Sequence, residues 1–335
     1  RGHPRIADVR RRWRRDGEDV ISRRTMLKWM AGFGVSGFAL GGYALAEPFR
    51  LNVTSYRITP VGWPAGLSLK LAVIADLHAI EPWMGAERLD EIVESTNALG
   101  ADAVLLAGDF VSSMRRVGRL FGRPVPDIVW AAALGRLRAP LGVHAVLGNH
   151  DWWDDDELQR TRKGRPPAAR ALEAAGIPVY ENTATRFRKN GVPFWIAGLG
   201  DQWAFWPRPE QYERFRRRGK IDYQGVDDLP ATLRQVTDDA PVILMAHEPD
   251  IFPEVPDRVS LTVSGHTHGG QVRLLGFAPV VPSKYGSRYL YGHIFEDRRH
   301  LVVSGGLGCS GLPIRFGSPP EIVVVELGAA GQAMR

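Results

Sequence analysis

One arrangement occurs five times along the chain: a short apolar run that stops at a side chain able to bind a metal. Leu71-Ala72-Val73-Ile74-Ala75 stops at Asp76-Leu77-His78. Residues 103–107 run into Gly108-Asp109, and residues 143–147 into Gly148-Asn149-His150-Asp151. Residues 242–246 run into His247-Glu248, and residues 261–264 into Gly265-His266-Thr267-His268-Gly269-Gly270. Short apolar runs with β-branched members read as buried strands. Strands that each end in a ligand place those ligands along the rim of a sheet, where open α/β sheets bind their ligands. Glycine precedes the ligand in three of the last four runs, as expected where the backbone needs unusual dihedrals or a close approach. Five of the nine histidines lie at these strand ends, too concentrated for chance placement.

Between the early strands the period changes. Leu89, Ile92, Val93 and Thr96 follow the i, i+3, i+4, i+7 spacing of one helix face. Residues 127–138 read as the next helix. This alternation predicts a parallel sheet carrying helices. Residues 152–241 are less regular. They hold a helix near 168–175, strands around Val179 and 194–198, and an insertion at 201–220 rich in Trp and Arg. From Pro241 short strands dominate, at 242–246, 261–264, 271–275, 301–304 and 322–326. The chain thus divides into an arm at 1–46, a linker with an edge strand at 47–68, and the main domain at 69–335.

Charge separates the arm from the rest. The chain carries a net charge of +6. Residues 1–28 hold nine arginines and one lysine against four acids, which accounts for the whole excess. Residues 29–335 balance, so the main domain has no global charge for a polyanion and no nucleic-acid partner is expected. Ser22-Arg23-Arg24-Thr25-Met26-Leu27-Lys28 precedes an uncharged run at 29–46. That is the layout of a twin-arginine export signal, with Ala44-Leu45-Ala46 as a possible cleavage site. The rival readings are a retained signal anchor, since 18 residues just span a bilayer core of about 30 Å, and a solvated basic arm with a buried helix. The export readings predict the twin-arginine machinery as a partner and place the domain in the periplasm or on the outer face of the cytoplasmic membrane. The single cysteine, Cys309, excludes an intrachain disulfide and a Cys-rich zinc site.

In this order, Asp-x-His, Gly-Asp, Gly-Asn-His-Asp, His and Gly-His-x-His resemble the calcineurin-like metallophosphoesterases. The resemblance covers roughly residues 69–327. Within that family, Gly-His-Thr-His-Gly-Gly-Gln and the tail from Gly306 to Ile322 resemble the exported bacterial phosphodiesterases of the YaeI/YkuE type. The resemblance implies a four-layer αββα sandwich, an α/β fold of two mixed sheets flanked by helices. It also implies a dinuclear centre of two divalent ions, and a His, Asp and Asn donor set without thiolate suits Mn, Fe or Zn.

Carried over by position, Asp76, His78, Asp109 and His268 are the ligands of the first ion. Asp109, Asn149, His247 and His266 are those of the second, with Asp109 bridging. A bridging water that loses its proton would attack phosphorus in line. His150 matches the imidazole that contacts the phosphoryl group and protonates the leaving oxygen. Asp151 is expected to orient that ring and keep it cationic, or else to serve as an N-cap or loop acid. Glu248 and Gln271 flank ligands and are candidates to support them. His144 reads as core. His3, His293 and His300 have no metal-like spacing.

Trp152, Trp153, Trp203, Phe205 and Trp206, with Arg214, Arg216, Arg217 and Arg218 nearby in sequence, suggest either a seat for a base, sugar or lipid headgroup or a packed lid with a solvated basic helix. The functional expectation is a metal-dependent phosphodiesterase of cell-envelope, lipid-linked or nucleotide-linked phosphoesters. The alternatives are a UDP-2,3-diacylglucosamine pyrophosphatase-like hydrolase and a non-catalytic metal-binding envelope protein.

Overall fold

The computed structural model describes residues 40–112, 122–208 and 223–328. By compactness the chain divides after Ala44, and Leu45–Arg335 form one unit. That unit is built on two mixed sheets. Its strands are β1 (Asn52–Ile58), β2 (Leu69–Ile74), β3 (Ile80–Glu81), β4 (Ala103–Ala107), β5 (Arg123–Pro124), β6 (Val143–Val146), β7 (Thr183–Lys189), β8 (Val192–Gly198), β9 (Val242–Met245), β10 (Leu261–Ser264), β11 (Gly292–Glu296), β12 (Arg299–Val303) and β13 (Glu321–Leu327). The helices are α1 (Ala86–Ala98), α2 (Asp127–Leu134), α3 (Asn149–Trp153), α4 (Asp156–Thr161), α5 (Pro167–Ala174) and α6 (Leu229–Arg234).

The first sheet runs β1-β13-β2-β4-β6 and the second β11-β12-β10-β9-β8-β7, while β3 and β5 pair with each other in a separate two-stranded ribbon. Within the first, β2, β4 and β6 are parallel, as the strand–helix alternation requires, and β13 joins β2 antiparallel. Side chains alternate across the sheet, as the two-residue period of a strand dictates. Leu71, Val73 and Leu105 face the second sheet and pack with Phe194, Ile243 and Val263. Ala72, Ile74, Val104 and Leu106 face outward and pack under Leu89, Ile92 and Val93 of α1, Trp130 and Leu134 of α2, and Leu172 of α5. On the far side, Ala197, Val242, Leu244 and Leu301 pack with Leu229 of α6 and with Phe252 of the 3₁₀ turn Pro249–Glu254. The layers are therefore helix, sheet, sheet, helix, the expected αββα sandwich.

Three details differ from the sequence expectations. Residues 271–275 form no strand. Val272 and Leu274 make only isolated bridges, to Phe316 and Phe277, because the chain leaves the sheet at Ser264 and has no neighbouring strand to pair with. The helix expected over 127–138 stops at Leu134, where Gly135 caps it. The strand expected around Val179 is only an isolated bridge to Ala145. The edge strand expected before residue 69 is present as β1, which pairs with β13 in parallel register. The basic arm through residue 39, His3 and Arg214, Arg216, Arg217 and Arg218 lie outside the described residues. Among the described residues no helix is long and apolar enough to cross a membrane.

Candidate metal centre

Each predicted ligand sits just past a strand end. Asp76 and His78 follow β2, Asp109 follows β4, Asn149 opens α3 after β6, His247 follows β9, and His266 and His268 follow β10. The loops lace to one another: Asp76 N donates to Gly108 O at 2.9 Å, His78 N to Asp109 O at 3.0 Å, and Gly265 N to His247 O at 3.0 Å. Asp76, His78, Asp109, His266 and His268 all have positive φ, between 44° and 71°. Such backbone strain in non-glycine residues gathers at functional sites and persists only when the surrounding structure enforces it. The preceding glycines are dictated by space. A Cβ on Gly265 would lie 2.6 Å from Asp76 Oδ2, and one on Gly148 would strike both Asp109 and the His247 ring.

The seven predicted ligands converge and are all buried. Donor atoms of Asp76, His78 and His268 lie within 4.8 Å of one another, as do those of Asp76, Asp109 and His247. Asp109 Oδ2 is 3.5 Å from His78 Nε2 and 3.3 Å from His247 Nε2, so one oxygen faces a ring of each predicted ligand group. His266 Nδ1 meets Asn149 Oδ1 at 2.9 Å. His78 Nδ1 donates to Val111 O at 3.0 Å and His247 Nδ1 to Ala107 O at 2.6 Å. Both bonds turn Nε2 toward the cluster, the usual way a protein fixes the tautomer of a ligating histidine. His247 Nε2 is buried and lacks a well-aligned hydrogen bond. The donor set therefore fits divalent cations.

Electrostatics agrees. Burial pushes His78 and His266 down to about 3 and lowers His268 as well, so these rings are neutral, the ligating form. Burial and the nearby Asp109 charge raise Asp76 to about 7. Burial acts against both Asp109 and His247, yet their mutual attraction wins: Asp109 is held well below the usual range and His247 well above it. A divalent cation held by these two residues would displace the proton that His247 carries.

His150 stands beside the cluster. Its backbone N–H donates to Asp109 Oδ1 at 2.8 Å, and its ring meets His78 edge-on at 5.1 Å between centroids. Burial lowers its pKa. The expectation that Asp151 orients this ring is corrected. Asp151 Oδ2 accepts Asp109 N and Gly148 N, and Oδ1 accepts Phe110 N and Val111 N. At the third position of α3, Asp151 closes the helix start through the Gly148 amide and clamps the β4 loop. The alternative reading, a loop and capping acid, describes it.

Glu248 is fully buried beside His247, and its Oε2 accepts Gln202 N at 3.2 Å. Gln271 stitches the loop after His268 to the C-terminal tail, donating to Ser310 O and Leu312 O and accepting Ser310 N. His144 is a core residue bonded to Leu141 O and Tyr180, and His293 and His300 bond each other at 2.9 Å.

Asp201, Arg315 and Tyr223 escaped the sequence reading. Asp201 lies buried next to Glu248 just past β8, and burial with that neighbouring carboxyl raises its pKa; Gly198-Leu199-Gly200-Asp201 repeats the strand–glycine–acid pattern and was a usable signal. Arg315 is fully buried, donates to Gly305 O, Gly308 O and Ser318 O, and brings Nη2 within 3.3 Å of His268 Nδ1. An aromatic wall flanks the centre. Trp203 lies 4.6 Å from His266, Trp153 lies 4.9 Å from His150, and Tyr223 stacks on both tryptophans. Trp206 joins this wall at 4.4 Å from Trp153, whereas Trp152 turns inward onto Phe205.

The fold and the donor set together define an α/β protein with a candidate metal centre at the rim of its sheets. The sequence profile of the family described as Calcineurin-like phosphoesterase matches residues 69–270. The chain belongs to the calcineurin-like metallophosphoesterases and is similar to the uncharacterized metallophosphoesterase YkuE of Bacillus subtilis, at 30% identity over 92% of this chain and 98% of that protein. A metallophosphoesterase of Aquifex aeolicus is 28% identical over 87% of this chain and 97% of its own length. A Danio rerio protein named as a transmembrane protein with metallophosphoesterase domain is 28% identical over 77% of this chain and 53% of its own. Phosphoester hydrolysis with divalent metal is the chemistry of this family.

Proposed function

We propose that the chain is a dinuclear phosphodiesterase acting on cell-envelope, lipid-linked or nucleotide-linked phosphoesters. The observation that carries the dinuclear reading is Asp109 Oδ2, placed within 3.5 Å of a ring nitrogen from each ligand group. Two divalent cations held by Asp76, His78, Asp109, Asn149, His247, His266 and His268 would supply Lewis-acid activation of water and charge neutralisation at phosphorus. The chain's own groups do the rest. His150 is positioned to contact the phosphoryl group and protonate the departing oxygen. Asp151 holds the β4 and β6 loops at a fixed separation, and Arg315 steadies the His268 ring. The aromatic wall of Trp153, Trp203 and Tyr223 favours a diester, since a second organic substituent suits rings better than does the extra charge of a monoester.

The test is release of nitrophenol from bis(p-nitrophenyl) phosphate, with Mn, Fe or Zn and then with chelator. Chelator-sensitive release is expected. No release with any divalent ion would instead support a non-catalytic metal-binding protein. Comparing that diester with p-nitrophenyl phosphate decides between diester and monoester.

Delivery across the membrane by the twin-arginine route is part of the same proposal, supported by Arg23-Arg24 and the uncharged run at 29–46. Replacing both with lysine should leave the chain in the cytoplasm. Undiminished export of that variant would remove the twin-arginine reading.

A further inference from the structure

Beyond His268 the chain leaves the rim and makes a two-residue hairpin turn. Leu274 and Phe277 exchange both backbone hydrogen bonds at 2.9 Å. Between them Leu275 and Gly276 take φ of 49° and 86°. Two successive positive φ angles belong to the type I′ hairpin turn, whose first central position favours asparagine, aspartate or glycine. A larger side chain is strained there. This turn has leucine instead, 99% exposed, with Leu274 at 60%, Phe277 at 71% and Val280 at 74% beside it. In water such a leucine adds strain and exposed apolar surface without return. In contact with an apolar phase the same four side chains become a source of binding.

Two observations select the partner. The first is charge. From Arg258 to Phe295 the sequence contains no Asp or Glu, and residues 311–320 add none, while Arg273 and Lys284 bracket the apolar turn; the acids that reach this segment from elsewhere include Asp250, buried and accepting from Ser283 Oγ and Lys284 N, and Asp227 near Lys284. Lys284 is exposed. An anionic surface complements this segment. The second is location. The Arg273 guanidinium donates to Gly317 O at 3.0 and 3.2 Å, and Gly317 N donates to Glu47 Oε2 at 2.8 Å. Glu47 directly follows the uncharged run at 29–46. The apolar turn is thus tied through Gly317 to the segment at Glu47, where Leu45 and Phe49 are 54% and 49% exposed.

We propose that residues 274–280 are a docking turn that seats Leu274, Leu275 and Phe277 in the surface of an anionic lipid bilayer. Docking holds the loop that carries His266 and His268 close to the lipid. The inference stands apart from the catalytic reading, because its test measures no turnover.

Leu275→Cys supplies the accessible thiol, since Cys309 is only 2% exposed. The full chain, labelled at residue 275 with an environment-sensitive fluorophore, is mixed with vesicles of phosphatidylglycerol and phosphatidylethanolamine. A blue shift, quenched by lipids brominated in the acyl chain and weaker with phosphatidylcholine alone, is the expected result. An unshifted probe on vesicle-bound protein overturns the proposal. So does a probe already shifted without vesicles, which would mean that the chain's own arm or a second copy covers the turn. In unlabelled protein, Leu275→Asn should weaken partition to the anionic vesicles about tenfold or more. The same variant should melt no lower than the parent, because asparagine suits the left-handed position. Lower stability with unchanged partition would make Leu275 a structural residue and overturn the proposal.

Discussion

The backbone N–H of Asp109 donates to Asp151 Oδ2 at 3.0 Å. A ligand at the end of β4 is thereby fastened to a carboxylate at the start of α3. The same carboxylate accepts Phe110 N at 2.8 Å, Val111 N at 3.1 Å and Gly148 N at 2.9 Å. Four amides on one buried side chain set the spacing between the β4 and β6 loops, and therefore between Asp109 and Asn149.

Asp151→Asn tests this clamp. The amide turns an NH₂ toward backbone N–H donors that it cannot satisfy. Each buried donor left unpaired costs about 1–3 kcal/mol, so denaturation of the metal-free protein should show a loss of about 2–4 kcal/mol. Metal content should fall with it, while the shape of the pH–rate profile of residual activity is kept. Unchanged stability with a displaced pH limb would restore the view that Asp151 tunes His150.

Asp109→Asn keeps the size of the side chain but removes the charge shared by the two ligand groups. Metal bound per chain should drop and turnover should nearly vanish. The wild type should hold two ions by elemental analysis. Full wild-type activity with a single bound ion would exclude the dinuclear centre.

His150→Ala should discriminate between leaving groups. An alkoxide needs a proton to depart, whereas a nitrophenolate does not, so the alkyl diester should lose roughly 10²–10⁴ in rate and the aryl diester less. Metal content should stay near wild type, because His150 is assigned no ligand role. Burial lowers the pKa of this ring, so its acid form is lost below the ordinary histidine value, and alkyl ester turnover should decline as pH rises through that lowered pKa. Equal losses on both esters would leave His150 as a phosphoryl contact only.

Metal loading should release protons from particular groups. At pH 6 the metal-free site holds one proton on Asp76, raised to about 7, and one on His247, raised by Asp109. Both must leave when cations bind. His78 and His266, lowered to about 3, have none to release. Affinity should therefore weaken as pH falls below 7, with about two protons released per centre at pH 6. Calorimetry in buffers of different ionisation heat counts them. A release well above two would show that other groups beside the centre also lose protons on loading, Asp151 first among them because burial and the Asp109 charge push it up to about 7.

Much of the centre is local information. Each strand end carries a metal-competent side chain, flagged by the apolar run before it. The family resemblance selected Asp76, His78, Asp109, Asn149, His247, His266 and His268 from among these, and the structure brings all seven together. The buried face of α1 was equally legible, because Leu89, Ile92, Val93 and Thr96 repeat at the helical period and all four are buried. The apolar stretch 271–275 misled for the complementary reason. Residues such as Val272, Leu274 and Leu275 have strand composition, yet a strand needs a hydrogen-bonding neighbour, and local composition does not say whether one is present.

What the sequence by itself determined, then, is which residues stand at the rim and in what order. Only the tertiary structure decided which of them touch. Asp109 meets His247 because β4 in one sheet and β9 in the other end at the same rim, across some 140 residues of chain. Asp151 serves the Asp109 loop rather than the His150 ring because β6 lies next to β4 in parallel register. Arg315 reaches His268 because β12 and β13, on either side of the tail, lie in different sheets, and the tail crosses between them behind the centre. Strand order, register and sheet pairing are properties of the packed whole. They set distances between residues that no local pattern connects.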